Sequence, residues 1–341
     1  MRRCGFYIVA DSAFYVGAAA ALNSLRLVGH QQPAFVLDVG LTETQRKALG
    51  QTAEVIPCPK DVAPRLAKWV APLAEPSDVM VVLDADVIVT RPLDSLLDEA
   101  ARGSVVAFAD FWVHRFYDEW AGFVGASELP RRTYVNSGFF ALPRGLGLDV
   151  LTNVRTAQLK LAQLGYTDLR NDEDPSLLFA YPDQDSWNAV LSAIVPDDAF
   201  SIWPHELAPF PQDRTAVVDK ATLSCRAAGG ERPYLLHHIG KPKPWVGPIS
   251  VHAYTRLLPR VLFGEDVVVR LDPSDLPLGV RPGARASVER LRLQVRGEVQ
   301  RRARRLRHRL RSGLIRAALA RLTQASRGSR RAGRARSRAT R

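Results

Sequence analysis

The chain has 341 residues, 46% of them hydrophobic, and a domain of about 300 residues can bury roughly three quarters of its unfolded surface. Its net charge of +12 suggests a general polyanion binder, but residues 281–341 hold 21 arginines, no lysine and only Glu289 and Glu298, a net of +19. Residues 1–280 keep 26 basic and 33 acidic residues, a net of −7, so the body is mildly acidic, the basicity is confined to a tail, and the pooled charge does not mark the body as a polyanion binder.

Arg2 and Arg3 ahead of apolar residues imitate a secretory signal. Asp11, Ser12 and Asn23 interrupt that run, so a first strand and helix are expected instead. Apolar runs at residues 6–10, 34–39, 79–83 and 104–108 read as strands, and residues 18–28, 43–49 and 66–73 between them read as helices. Strands alternating with helices imply an α/β fold with a mostly parallel central sheet, whose ligands sit beyond the carboxyl ends of the strands. Further helices are expected at 150–164 and 185–194, and residues 251–280 form a short closing segment. No run of about 18 uninterrupted apolar residues occurs, so no spanning helix is expected. Cys4, Cys58 and Cys225 have no Cys-x-x-Cys spacing, which fits a reducing, cytoplasmic setting.

Four segments carry chemistry. Residues 79–83 run into Asp84-Ala85-Asp86, placing two carboxylates at the sheet's ligand edge. Hard oxygen donors there suit Mg²⁺ or Mn²⁺ against a diphosphate, or else they cap a turn. The segment His237-His238-Ile239-Gly240-Lys241-Pro242-Lys243-Pro244-Trp245 offers an imidazole, which tilts the metal towards Mn²⁺. Its glycine and lysines suit a phosphate, although a Pro-rich surface loop is the plainer reading. Asp183-Gln184-Asp185 stands at a helix start, where capping competes with binding of sugar hydroxyls. Asn136-Ser137-Gly138 interrupts a strand, either as a bulge or with Asn136 as donor and acceptor to a sugar.

In this order the four segments resemble the family 8 retaining glycosyltransferases, the group of glycogenin-like enzymes and bacterial envelope hexosyltransferases, over residues 6 to about 246. The resemblance implies a single A-type nucleotide-sugar-binding domain over residues 1–250 and transfer of glucose, galactose or a derivative from a UDP-sugar with retained configuration. It also implies that Asp84, Asp86 and His237 hold Mn²⁺, with Mg²⁺ as the second option, and that Lys243 and Gly240 face the diphosphate. Ala10, Asp11, Phe14, Arg65, Ala85, Asp110, Asn136 and Ser137 then belong to the donor site. Phe14 stands where the family places a tyrosine against uracil; its ring can stack but lacks the hydroxyl. Asp183 holds sugar hydroxyls, and Gln184 or Asp185 is the candidate beneath the anomeric carbon.

Residues 251–282 are then a linker. From Val288 to Leu322 apolar residues recur every three or four positions among arginines, so residues 283–322 read as a basic amphipathic helix suited to an anionic membrane surface. Residues 323–341 read as a disordered Arg-rich tail. The expected protein is therefore cytoplasmic, peripheral on the inner face of the membrane, and acts on a glycan or glycolipid acceptor. Two other classes compete: a nucleic-acid-binding protein working through its tail, and a sugar-nucleotide pyrophosphorylase. The tail has no aromatic residue for reading bases, so no specific nucleic acid is expected, and no Gly-rich phosphate loop follows residues 6–10.

Overall fold

The structure, a computed structural model, describes residues 4–167, 177–211, 213–246 and 252–273, with Leu276, Val280, Arg281, Val288, Arg292 and Val295. In chain order its elements are β1 (Cys4–Ala10), α1 (Tyr15–Leu27), β2 (Ala34–Asp38), α2 (Glu43–Leu49), β3 (Glu54–Pro57), α3 (Val70–Ala74), β4 (Val79–Leu83), β5 (Val87–Val89), α4 (Asp94–Ala101) and β6 (Val105–Ala109). There follow α5 (Trp120–Val124), β7 (Val135–Pro143), α6 (Arg144–Gln163), α7 (Pro182–Ile194), β8 (Phe200–Trp203), β9 (Thr215–Asp219), β10 (Ser224–Ala227), β11 (Leu235–His237) and α8 (Ala253–Phe263).

Seven strands form one sheet in the order β3-β2-β1-β4-β7-β6-β8, in which only β7 runs antiparallel to its neighbours. β4 is buried along its whole length, as a strand covered on both faces must be, and this is why its sequence is apolar without alternation. One core lies on each face of the sheet: Phe6, Ile8 and Val81 point to one, and Tyr7, Met80 and Val82 to the other. Because β7 is reversed, its beginning lies at the same sheet edge as the ends of β1, β4 and β6. Asp11, Asp84, Asp110 and Asn136 therefore share that edge although up to 125 residues separate them in sequence.

The expected helix over residues 66–73 does not form as one piece. A 3-10 turn, Pro64–Leu66, is followed by non-helical Ala67 and then α3, and this break carries Lys68 and Trp69 into the interior. The helix expected at 185–194 begins earlier, with Pro182 in its first turn, where the missing N–H costs nothing. The closing segment is welded to the body. Buried Asn23 on α1 donates to the carbonyls of Val261 and Val269 and accepts from the N–H groups of Val268 and Val269. The expected basic helix and tail lie outside the described residues, apart from Val288, Arg292 and Val295, which are helical. Among the described residues, no helix is long and apolar enough to cross a membrane.

Candidate donor and metal site

Asp84 and Asp86 leave β4 on either side of Ala85, and β5 then pairs antiparallel with β11 in the register His237 to Val87, Leu236 to Ile88 and Leu235 to Val89. That register sets the imidazole beside the acids. His237 Nε2 lies 3.1 Å from Asp86 Oδ1 and 3.5 Å from Asp84 Oδ2, and one ligand atom from each of the three residues lies within 4.8 Å of the others. The His238 N–H donates to the Asp86 carbonyl at 2.9 Å and fixes the turn. Gly138 is required at this point, since a Cβ there would lie 2.3 Å from His237 Cε1.

Two lysines hold the acidic pair. Lys243 donates to Asp86 and, at 2.6 Å, to the His238 carbonyl. Lys68 sits between Asp84 (2.6 Å) and Asp183 (2.7 Å) and donates to the Ser137 carbonyl at 2.9 Å. Burial disfavours the charged form of Lys68, but Asp183 and Asp84 outweigh it and hold the ammonium above the ordinary lysine range. The two acids move in opposite directions. Burial raises Asp84 against the pull of Lys68, whereas on Asp86 burial is overcome by His237 and Lys243, which hold the carboxyl well below the usual range. Burial, helped by Lys243, lowers the His238 imidazole to about 4.

A polar cluster adjoins the acids on the β6 and β7 side. Asn136 Nδ2 donates to Asp110 Oδ2 at 2.9 Å and to Gln184 Oε1 at 3.0 Å, and Gln184 Nε2 donates to Asp110 Oδ2 at 3.2 Å. Ser137 donates through its hydroxyl to Asp183 (2.9 Å) and through its N–H to Gln184 (3.1 Å). On the β1 side Asp11 accepts the Phe14 N–H at 2.8 Å, and the Phe14 ring meets Trp245 edge-on at 6.2 Å. Trp245 Nε1 donates to the Ala13 carbonyl at 2.7 Å, closing the loop after β11 over the start of α1. Gly17 permits this approach, because a Cβ there would lie 2.3 Å from the Ala85 carbonyl oxygen and 2.5 Å from the Trp245 ring. Ala10 is buried at the end of β1, while Gly240 is open, its nearest side-chain atom, His238 Cε1, being 3.8 Å from an added Cβ.

One expected residue stands elsewhere. Asp185 is completely buried and turned from the acids: it takes Arg115 at 2.7 and 2.8 Å, the Tyr134 hydroxyl at 2.6 Å and the Tyr181 N–H at 2.9 Å. Arg65 is exposed in the 3-10 turn, and Lys68 is the buried basic side chain that this segment brings to Asp84 and Asp183. Composition and spacing hid Lys68, because only the break at Ala67 turns it inward. A helix drawn through residues 66–73 gives it no special direction.

No protein-family model matches the chain, and no curated protein matches it in sequence. Among solved structures it is similar to the apo bifunctional glycosyltransferase WbbM, with 15% identity over 75% of this chain and 50% of that one, at a TM-score of 0.50. It is also similar to the galactosyltransferase LgtC in complex with donor and acceptor sugar analogs, with 18% identity, 74% and 95% coverage and a TM-score of 0.46. GlyE of Streptococcus pneumoniae TIGR4, in its apo form, gives 16% identity, 79% and 62% coverage and a TM-score of 0.49. The sheet order and the likeness to WbbM define an A-type glycosyltransferase fold.

Proposed function

We propose that this chain is a metal-dependent glycosyltransferase that moves a hexosyl unit from a UDP-sugar to a glycan acceptor, with the retained configuration that its resemblance to family 8 implies. The observation that carries this reading is the convergence of Asp84, Asp86 and His237 within 4.8 Å at the sheet edge where an α/β fold holds its ligand. Two carboxylates and one imidazole form a donor set that suits Mn²⁺, with Mg²⁺ second. Bound there, the ion supplies positive charge to a departing diphosphate.

The chain's own side chains do the rest. Phe14 stacks on the base and Asp11 fixes the Phe14 loop. Lys243, 5.5 Å from the centre of the Phe14 ring, stands within the same mouth to meet phosphate charge. Asp110, Asn136, Gln184 and Asp183 present acceptors and donors to sugar hydroxyls. The C1–O bond to the diphosphate breaks with its electron pair on the leaving oxygen, and the acceptor hydroxyl forms the new C1–O bond and passes its proton to that departing diphosphate oxygen. Gln184, which bonds Asn136, Ser137 and Asp110, is the residue assigned to the sugar's reacting face. Asp185 acts by fixing Arg115. The basic segment 283–322 holds the enzyme at an anionic inner membrane surface near its acceptor. UDP-hexose hydrolysis titrated with Mn²⁺ tests the reading: Asp84→Ala and Asp86→Ala abolish the metal dependence, and an unchanged dependence overturns the assignment.

A further inference from the structure

One buried side chain of α6 departs from the helix's apolar face. Gln158 is 1% exposed, while Val150, Leu151, Val154, Ala157 and Leu161 around it are buried and apolar. Its amide nitrogen donates to Asp183 Oδ1 at 3.0 Å and to the Ser186 hydroxyl at 3.1 Å, and that hydroxyl donates in turn to the Asp183 carbonyl at 2.8 Å. A carboxylate only accepts, so the nitrogen must face Asp183 and the amide has one usable orientation. Its Oε1 finds no partner among the described residues. A buried amide oxygen without a donor costs stability, and methionine would fill a similar volume without that cost. Packing therefore does not account for the glutamine, whereas its bond to Asp183 does.

Asp183 stands in the first turn of α7, and its two oxygens are held unequally. Oδ2 accepts from the Ser137 hydroxyl at 2.9 Å and pairs with the Lys68 ammonium at 2.7 Å, and Lys68 also holds Asp84 at 2.6 Å. Among the described residues Oδ1 takes Gln158 alone. A carboxylate has about four lone-pair sites, two on each oxygen, so Oδ2 is filled and Oδ1 keeps one for a further hydroxyl. The Asp183 side chain remains 20% exposed, so a ligand can reach the carboxyl group.

The terminal torsion of an aspartate is soft and nearly two-fold. Held through Oδ2 only, the carboxylate would be free to turn and give both oxygens to Lys68, whose other partner, Asp84, belongs to the acidic pair. Gln158 opposes that rotation from the far side. Its anchor is α6, a helix of 20 residues packed on the sheet, and a group set on a rigid element holds its partner more closely than one on a loop.

We propose that Gln158 is a positioning residue for the donor sugar: from α6 it fixes the Asp183 carboxylate so that Oδ1 accepts one hexose hydroxyl. The proposal rests on the transferase reading and deepens it, extending the sugar site to a side chain that lies behind the substrate.

Calorimetric titration of UDP, UDP-glucose and UDP-galactose into the full chain with Mn²⁺ separates the sugar's share of binding from the nucleotide's. Gln158→Met keeps the volume and removes the donor. It binds UDP as the parent does, binds the UDP-hexose about tenfold or more weakly, and melts no lower than the parent. Gln158→Glu sets a second carboxyl against Asp183 and beside Lys68. It loses the UDP-hexose likewise and regains it as the pH is lowered and the new carboxyl takes up a proton to donate. Two results each overturn the assignment: equal UDP-hexose affinity in the parent and Gln158→Met, or UDP and UDP-hexose affinities that fall together with the melting temperature, as a purely structural tie between α6 and α7 requires. Mn²⁺-dependent hydrolysis of UDP-hexose by the parent reads the transferase proposal separately. Its absence removes that reading, whereas hydrolysis in the parent together with either of the two results removes Gln158 alone.

Discussion

Single side chains at this sheet edge are fixed by close packing. Gly138→Ala drives a methyl into the His237 ring, whose Cε1 lies 2.3 Å from the ideal Cβ position. Displacing one member of the ligand set lowers Mn²⁺ affinity by about 10- to 100-fold, as loss of supporting residues does at other metal sites, and titration with calorimetric detection measures it. Lys68→Met leaves the Asp84 and Asp183 carboxylates without the ammonium they share at 2.6 and 2.7 Å. Stripping one partner from a buried pair costs about 3 kcal/mol or more, read by urea unfolding of the metal-free protein. Because the folded-state shift of Lys68 is upward, its contribution is present at every pH below the ordinary lysine range and is lost only in strong base. Asp84, Asp86 and His237 were legible as types: acids ending an apolar strand and a histidine in a phosphate-like loop. Lys68 was not, because its direction depends on one non-helical residue. Nor was the burial of Asp185, which follows from the tertiary position of Arg115, seventy residues away.

At the scale of elements, register decides what the site contains. Pairing of β5 with β11 sets His237 opposite Val87; a slip of one residue would turn His237 to the other face of the ribbon and bring His238 or Leu236 to the acids. Neither strand was read from the sequence, which held nothing that fixed their pairing, so His237 was selected over His238 by motif spacing alone. The strands 79–83 and the helix 43–49 were readable to the residue, since burial on both faces and a Thr42–Gln45 capping box leave strong local marks. Buried His30 links α1 to α4 by accepting the Leu93 N–H on Nε2 at 2.8 Å, a role that requires its neutral form. Burial, opposed by Asp94, lowers its pKa. The unfolded chain therefore takes up this proton first, and stability falls as pH drops below about 6.5 towards the lowered folded value. Urea midpoints measured across this range show that slope in the parent and a shallower one in His30→Gln; equal slopes would remove His30 as its source.

For the molecule as a whole, charge is segregated: −7 on residues 1–280 and +19 on the remainder. Flotation with phosphatidylglycerol vesicles is expected for the full chain and lost on removal of residues 283–341, with weaker flotation in high salt; equal partitioning of both forms excludes this anchor. The alternating α/β pattern made the sheet legible as a class, but the reversal of β7 was not, because nothing local distinguishes a parallel from an antiparallel apolar strand. That reversal brings Asn136 and Ser137 to the edge that holds Asp84, and the whole site depends on it. Binding of Mn²⁺ with UDP, followed by electron paramagnetic resonance in the parent and in His237→Ala, tests the central claim most directly. The account predicts one bound Mn²⁺ per chain whose affinity falls at least about tenfold in the variant; equal binding in both proteins, or none in the parent, would contradict it.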